Sequence, residues 1–174
     1  MMFFLRYPSL VQLLFYLVLS IQKRSQIILI FLFTPSISSF GRSIFKLLDT
    51  AGEDDYQTMM DEWIKAADGF ILIFAINDEE SFEALKQKVN RIKKNNKSQF
   101  PIVIAGNKCD LHNKRQVNQQ NAMEYAKSIG AKYYETSALL DENGNCKVIF
   151  QQCAHLIVSG DTISEKSGTC CSIW

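Results

Sequence analysis

Residues 69–82 read GFILIFAINDEESF, and this stretch decides the fold. Its first eight residues are apolar apart from the leading glycine, which indicates a β-strand covered on both faces, as in a parallel sheet. From residue 78 to residue 95, apolar residues recur at spacings of three and four, the pattern of a helix with one apolar face. A buried strand followed by an amphipathic helix is the unit of parallel α/β sheets.

The same alternation of strand and helix extends on both sides of this stretch. Strands are predicted at residues 44–48, 69–76, 101–105 and 132–135, and helices at residues 59–67, 78–95, 118–129 and 146–158. We therefore predict an α/β fold, a doubly wound and mostly parallel sheet with helices on both faces. Gly130 is predicted to be the C-cap of the helix at residues 118–129.

The composition divides the chain into three segments. Of its 174 residues, 47% are apolar and 21% charged, as in an average globular domain, and the net charge of +1 argues against a nucleic-acid partner. All 18 acidic residues lie from Asp49 onward. We predict an atypical apolar leader at residues 1–43, a domain at residues 44–158 and a polar tail at residues 159–174.

The leader contains two apolar runs, residues 10–21 and 27–33. Neither run reaches the roughly 18 apolar residues that a membrane-spanning helix requires. The first has the length of a signal-peptide hydrophobic region but no small-residue cleavage site after it. The second is interpreted as a buried strand, although a helical segment of that length would give the same pattern.

Polar loops follow three of the predicted strands, at residues 49–53, 107–110 and 136–138. Ligands of open α/β sheets bind beyond the carboxyl ends of the strands. Because these strands are expected to be parallel, the three loops should open at the same edge. The sequence therefore predicts one ligand site built from all three.

The loop sequences resemble the nucleotide-binding motifs of small GTPases. The three motifs are DTAG at residues 49–52, NKCD at residues 107–110 and ETSA at residues 135–138. They stand in the family's order at similar spacing, and Leu48 before the first motif matches the Ras subfamily. The resemblance covers residues 44–158 and implies a P-loop small-GTPase fold that binds GTP and GDP with Mg²⁺.

By this resemblance, the last two motifs hold the guanine base. A carboxylate at Asp110 can accept hydrogen bonds from the adjacent N1–H and N2 amino groups of guanine, a pair that adenine lacks. Asn107 would hold the base edge, and Lys108 would lay its aliphatic stem along the base. Ser137 would shape a turn from which the Ala138 N–H donates to the guanine O6. The alternative is that these are ordinary polar turns.

The first motif is implied to contact phosphate and Mg²⁺. Its residues are Asp49, Thr50, Ala51 and Gly52. Asp49 would hold Mg²⁺ through water, with Ser36 as a hydroxyl ligand from a stretch that resembles the first switch, and the Gly52 N–H would approach the γ-phosphate. Glu53 stands where the catalytic glutamine is usual, which predicts slow hydrolysis. Alternatively, Glu53 only caps the following helix.

The family's phosphate-binding loop, G-x-x-x-x-G-K-[ST], is missing from the sequence, which has one glycine, Gly41, before Asp49. The family's first strand is central, so either residues 27–33 or residues 3–5 must replace it, or the sheet is incomplete. The leader is interpreted as non-homologous sequence or as a membrane-inserting or transit-like segment. A non-catalytic GTPase remnant that acts as an interaction module is the alternative function.

The chain ends in Cys171-Ser172-Ile173-Trp174, which resembles a prenylation signal with Cys171 as acceptor. Cys170 could carry a second, palmitoyl anchor, and the alternative is an unmodified tail. The five scattered cysteines favour reduced thiols over disulfides. The resemblance implies a signalling switch on the cytoplasmic face of the plasma membrane, with effectors, an exchange factor and a GTPase-activating protein as partners. A location directed by the leader is the alternative.

Overall fold

The computed structural model describes residues 2–4, 25–33, 44–50, 57–96, 100–137, 139 and 145–159. The strands are β1 (Met2–Phe4), β2 (Ser25–Phe33), β3 (Ile44–Thr50), β4 (Gly69–Ala75), β5 (Ile102–Asn107) and β6 (Lys132–Glu135). The helices are α1 (Gln57–Ala66), α2 (Glu79–Asn95), α3 (Gln119–Ser128) and α4 (Asn145–Ser159), and a 3₁₀ segment spans Cys109–Lys114. In these ranges no helix is long and apolar enough to cross a membrane.

The strands form one sheet in the order β1-β3-β2-β4-β5-β6. β4, β5 and β6 are parallel to one another, whereas β2 is antiparallel to both of its neighbours, β3 and β4. Consequently β3, β4, β5 and β6, four of the six strands in the described ranges, point in the same direction. The α/β class and the mostly parallel direction of the strands are confirmed.

β4 lies in the centre of the core because both of its faces are covered. Its side chains alternate between the faces, and all seven residues are buried. Phe70, Leu72 and Phe74 pack in one cluster with buried residues of α1, α2 and α3. Ile71 and Ile73 pack on the opposite face against α4. Helices therefore cover both faces, as the doubly wound prediction requires.

The predicted elements agree with the structure apart from a few terminal residues. α2 begins after Asp78, whose carboxylate accepts the Ser81 N–H at 3.2 Å, and this cap sets the start of the helix. The buried Ser81 hydroxyl also accepts the Ala75 N–H at 3.0 Å, which ties the end of β4 to α2. The C-cap of α3 is Ile129, and Gly130 follows it with a φ of 71°, in the left-handed region that favours glycine.

The central position next to β4 is taken by β2, from the second apolar run of the leader. Its partners are Thr50 opposite Ile27 and Phe74 opposite Ser25. Only residues 34–43 connect β2 to β3, and a parallel crossover needs a dozen or more residues. The antiparallel direction follows from this short connection, so the strand next to β4 runs opposite to β4.

Candidate functional site

The carboxyl ends of β5 and β6 bring two of the three predicted motifs together. The Thr136 N–H donates to the carbonyl oxygen of Gly106 at 2.9 Å, and the Cys109 N–H donates to that of Thr136 at 3.0 Å. These two backbone hydrogen bonds join the loop after β5 to the loop after β6. The NKCD and ETSA motifs therefore form one continuous edge, as predicted.

Asn107 closes β5 with a side chain that is only 5% exposed. Its backbone oxygen accepts the Ile76 N–H at 3.0 Å, which fixes the residue against the end of β4. Its side-chain oxygen Oδ1 is buried and has no partner among the described residues. A buried acceptor without a donor is costly, so this atom fits a site that a hydrogen-bonding ligand or chain segment completes.

Lys108 is the one non-glycine residue in the described ranges with positive φ, at 64°. The left-handed conformation is unfavourable for a lysine, so the surrounding hydrogen bonds must hold it there. The Lys108 carbonyl oxygen accepts the Leu111 N–H at 2.9 Å, closing the turn that starts the 3₁₀ segment. This turn sends the chain from β5 directly to Asp110.

Asp110 meets Ser137 across the two loops. The Ser137 hydroxyl donates to Asp110 Oδ1 at 2.5 Å. The second carboxylate oxygen, Oδ2, has no hydrogen bond to any other described residue. A carboxylate held on one oxygen and available on the other can accept the adjacent donors of a ligand, which is the chemistry that recognition of guanine requires. The predicted residues Asn107, Lys108, Asp110 and Ser137 are thus brought together.

Cys109 lies between these residues as a half-buried free thiol. Burial raises its pKa, and the nearby carboxylates of Glu135 and Asp110 raise it further, while Arg115 opposes them. The thiol therefore stays protonated at neutral pH, and the side chain packs against the apolar cluster below the loops. Cys153 is also a free cysteine and is buried.

The sequence reasoning missed a polar bridge beneath the site. The Arg115 guanidinium donates to Glu135 through both terminal nitrogens, at 2.8 and 2.9 Å. The Tyr133 hydroxyl donates to the same carboxylate at 2.8 Å. In the sequence, Glu135 is marked only by its place in the ETSA motif. The unlike charges of Arg115 and Glu135 were the available signal, but they stand 20 residues apart.

The remaining predicted site residues lie outside what the structure describes. These are Ser36, Ala51, Gly52, Glu53, Ala138, Cys170 and Cys171. Asp49 and Thr50 are described through their backbone only, at the carboxyl end of β3, which points in the same direction as β5. Among the described residues, no group of three or more histidine, cysteine or acidic side chains could hold a metal ion.

Two features thus characterise the protein: an α/β sheet, and an edge after β5 and β6 where the NKCD and ETSA motifs meet. Comparison with known families matches residues 29–159 to the Ras family. The chain is 39% identical over 104 residues to Protein ras-1 of Neurospora crassa, covering 58% of this chain and 48% of that protein. It is 40% identical over 98 residues to the Ras-like protein rasB of Dictyostelium discoideum, covering 55% and 49%.

A third relative is the Circularly permutated Ras protein 1 of Dictyostelium discoideum, with 38% identity over 114 residues, or 63% of this chain and 13% of that protein. The chain belongs to the Ras family of small GTPases, because the family match spans most of its length. The matches to the Neurospora protein and to rasB span about half the length of those relatives.

Proposed function

We propose that the chain binds guanine nucleotides through the edge formed after β5 and β6. The observation that carries the proposal is the hydrogen bond from Ser137 to Asp110, which orients the carboxylate and leaves Oδ2 without a described partner. Asp110 accepts from guanine N1–H and the N2 amino group, and Asn107 holds the base edge with its buried amide. Lys108 covers the base plane, and the Ala138 N–H donates to O6.

The test is a calorimetric titration of the chain with GDP and with ADP in the presence of Mg²⁺. We expect GDP to bind at least about 100-fold more tightly than ADP. A site built to hydrogen-bond one ligand rejects an analogue that leaves the polar groups of the site unpaired. Equal binding of the two nucleotides, or no binding of GDP, contradicts the proposal. Glu62→Gln replaces an exposed carboxylate on α1 and serves as the control variant, which should bind both nucleotides as the wild type does.

We further propose that the chain is a slow GTPase of a signalling switch. Asp49 and Ser36 would hold Mg²⁺, which supplies charge stabilisation at the phosphates, and Gly52 would sense the γ-phosphate. Glu53 would slow the attack of water, because an ionised carboxylate cannot donate a hydrogen bond and repels the developing negative charge. Single-turnover hydrolysis should therefore be about tenfold or more faster in Glu53→Gln than in the wild type. Equal rates argue against this role of Glu53.

A second candidate function is a non-catalytic interaction module. It is favoured by the direction of β2, since a phosphate-binding loop follows the carboxyl end of its strand. Phe33 at that end pairs with Ile44, the first residue of β3, and so lies away from the carboxyl ends of β3 to β6. Under single-turnover conditions, hydrolysis above the rate in buffer supports the GTPase, and no hydrolysis supports the interaction module.

For localisation, we propose attachment to the cytoplasmic face of the plasma membrane through lipid on Cys171, with Cys170 as a second acceptor. Effectors, an exchange factor and a GTPase-activating protein would then act on the membrane-bound chain. Mass spectrometry of the native C-terminal peptide tests the anchor. A prenyl mass on Cys171 supports it, and an unmodified peptide argues against it and favours a location directed by the leader.

A further inference from the structure

Arg115 and Glu135 form a two-point bridge between the C-cap of the 3₁₀ segment and the end of β6. The two guanidinium nitrogens lie 2.8 and 2.9 Å from the two carboxylate oxygens, and the side chains are 24% and 17% exposed. A planar guanidinium bonded to both oxygens of a carboxylate fixes distance and orientation together. A lysine ammonium at this position could supply the charge but not the paired geometry.

Tyr133 gives the bridge a third point. Its hydroxyl donates to Glu135 at 2.8 Å, and its ring stacks on Phe74 with centroids 6.4 Å apart. Burial raises the phenol's pKa, so the hydroxyl keeps the proton that it donates. Gly106 makes room for this hydroxyl, because a Cβ at that position would lie 2.6 Å from it. The side chain of Glu135 is therefore held from β6 as well as from Arg115.

The bridge connects the same two loops that carry the base-contacting residues. Arg115 is the C-cap of the 3₁₀ segment that contains Asp110, and its N–H donates to the carbonyl oxygen of His112 at 3.2 Å. Glu135 ends β6, two residues before Ser137. The contact between Ser137 and Asp110 is a single hydrogen bond between loops from different strands. Two backbone hydrogen bonds already fix the main chains of these loops, and the bridge between Arg115 and Glu135 adds a side-chain support.

We propose that Arg115 is a positioning residue for base recognition, which sets the angle at which the Asp110 carboxylate meets its ligand by bonding to Glu135 at two points. The inference rests on the proposed binding of guanine nucleotides and adds the residue that determines how well guanine is distinguished. Loss of the bridge lets the 3₁₀ segment shift against β6. Asp110 then accepts one guanine donor well and the other poorly.

The sharpest readout is the preference for GDP over inosine diphosphate, whose base lacks the N2 amino group. A wild-type chain that uses both donors should prefer GDP by about 10- to 100-fold, the range for one hydrogen bond to a charged group. In Arg115→Ala, the preference should fall to about threefold or less. Arg115→Lys should recover thermal stability but not the preference, because it restores charge without the two-point geometry.

Arg91→Ala is the matched control, because the Arg91 side chain bonds to Asp61 at 2.7 Å and is 29% exposed, but lies between α1 and α2. It should lower the melting temperature and leave the preference for GDP unchanged. If Arg115→Ala does not fold, Tyr133→Phe tests the same support, since it removes only the hydroxyl. In this variant, the preference for GDP over inosine diphosphate should fall about two- to threefold. This is less than the effect of losing a whole charge-assisted hydrogen bond to the base.

The outcomes separate this inference from the proposed function. An unchanged preference in Arg115→Ala, or in Tyr133→Phe where the first variant does not fold, overturns the positioning role while guanine binding stands. A parallel fall in Arg91→Ala also overturns it, because the effect then follows stability alone. Failure of the wild-type chain to bind GDP overturns the proposed function, and the positioning role with it.

Discussion

The two halves of the sheet differ in strand direction, and with it in the site that each could support. After β5 and β6, parallel strands deliver Asn107 and Ser137 to the same edge, where the loops bond to each other. On the other side of β4, the antiparallel β2 brings Ser25, its first residue, towards the carboxyl end of β4. At this edge, one half presents only loops that follow strands, whereas the other half presents the start of β2 beside the carboxyl end of β3.

The difference teaches that a loop contributes to the site only if the strand before the loop ends at the edge of the sheet that carries the site. Base recognition needs two adjacent parallel strands, and the helical connections between β4, β5 and β6 supply them. Phosphate recognition by a G-x-x-x-x-G-K-[ST] loop needs a third strand in the same direction next to β4. In this chain that place is filled by a strand of the opposite direction.

The largest expected effect tests the half of the sheet formed by β4, β5 and β6. In Asp110→Asn, the amide keeps one acceptor and adds a donor, so it cannot accept from both guanine donors. Binding of GDP should weaken by about 100-fold or more, the cost of at least one lost hydrogen bond to a charged group and one unpaired donor. Xanthosine diphosphate has a carbonyl in place of the amino group and should bind more tightly to this variant than GDP does. Competition against a fluorescent nucleotide measures both.

Asp61→Asn is the control for this swap of base preference. Asp61 accepts from Arg91 at 2.7 Å and from Asn95 at 2.9 Å, between α1 and α2. Its loss should lower stability without changing the order of GDP and xanthosine diphosphate. A shift in base preference by Asp61→Asn, or none by Asp110→Asn, would show that Asp110 does not contact the base.

A smaller effect is expected when two glycines of the parallel half of the sheet, formed by β4, β5 and β6, are each replaced by alanine. In Gly106→Ala the new methyl would meet the Tyr133 hydroxyl at 2.6 Å, with Ile76 and Phe74 at 3.2 and 3.3 Å. These neighbours are buried or held by hydrogen bonds, so we expect Gly106→Ala to lower the free energy of unfolding by about 1–3 kcal/mol. In Gly69→Ala the closest atom, at 2.7 Å, is the end of the Ile157 side chain, which can rotate away. Urea unfolding should show a loss below about 1 kcal/mol there, and equal losses contradict the argument.

The buried thiol beneath β4 gives a pH test of the same half. Burial raises the pKa of Cys153 to about 12, from 9.0 for an exposed thiol. Between these values the unfolded chain loses a proton that the folded chain keeps. Stability is therefore full below pH 9 and falls as pH rises, by about 1 kcal/mol at pH 10 from this group. Urea unfolding of Cys153→Ala should show lower stability at pH 7 but a shallower decline above pH 9, and an equal decline contradicts the assignment.

Much of the parallel half was predictable because its signals are local. A buried strand at residues 69–76 and a helix at residues 146–158 follow from continuous apolar runs and from a period of three to four. The residues proposed to contact the base were predictable because short motifs contain them. What decides these features lies within a few neighbouring residues.

Strand direction and the bridge were not predictable, for physical reasons. An apolar run such as residues 27–33 has the same pattern in either direction, so only the connection to β3 decides how β2 runs. Arg115 finds Glu135 through space, and the need for glycine at position 106 comes from Tyr133 on a neighbouring strand. Such features depend on contacts that no local pattern records.

The smallest expected difference tests the half with the reversed strand, through the affinities for GDP and guanosine. If β2 directs no phosphate-binding loop to the edge, the phosphates of GDP add little. Each charge-assisted hydrogen bond to phosphate is worth about 1.5–3 kcal/mol, so a full cradle would separate the two ligands by about 1,000-fold or more. The interaction module therefore predicts a ratio within about tenfold by calorimetry, equivalent to about 1.4 kcal/mol. A ratio near 1,000 would instead require residues outside β2 and β3 to cradle the phosphates, and would favour the switch over the interaction module.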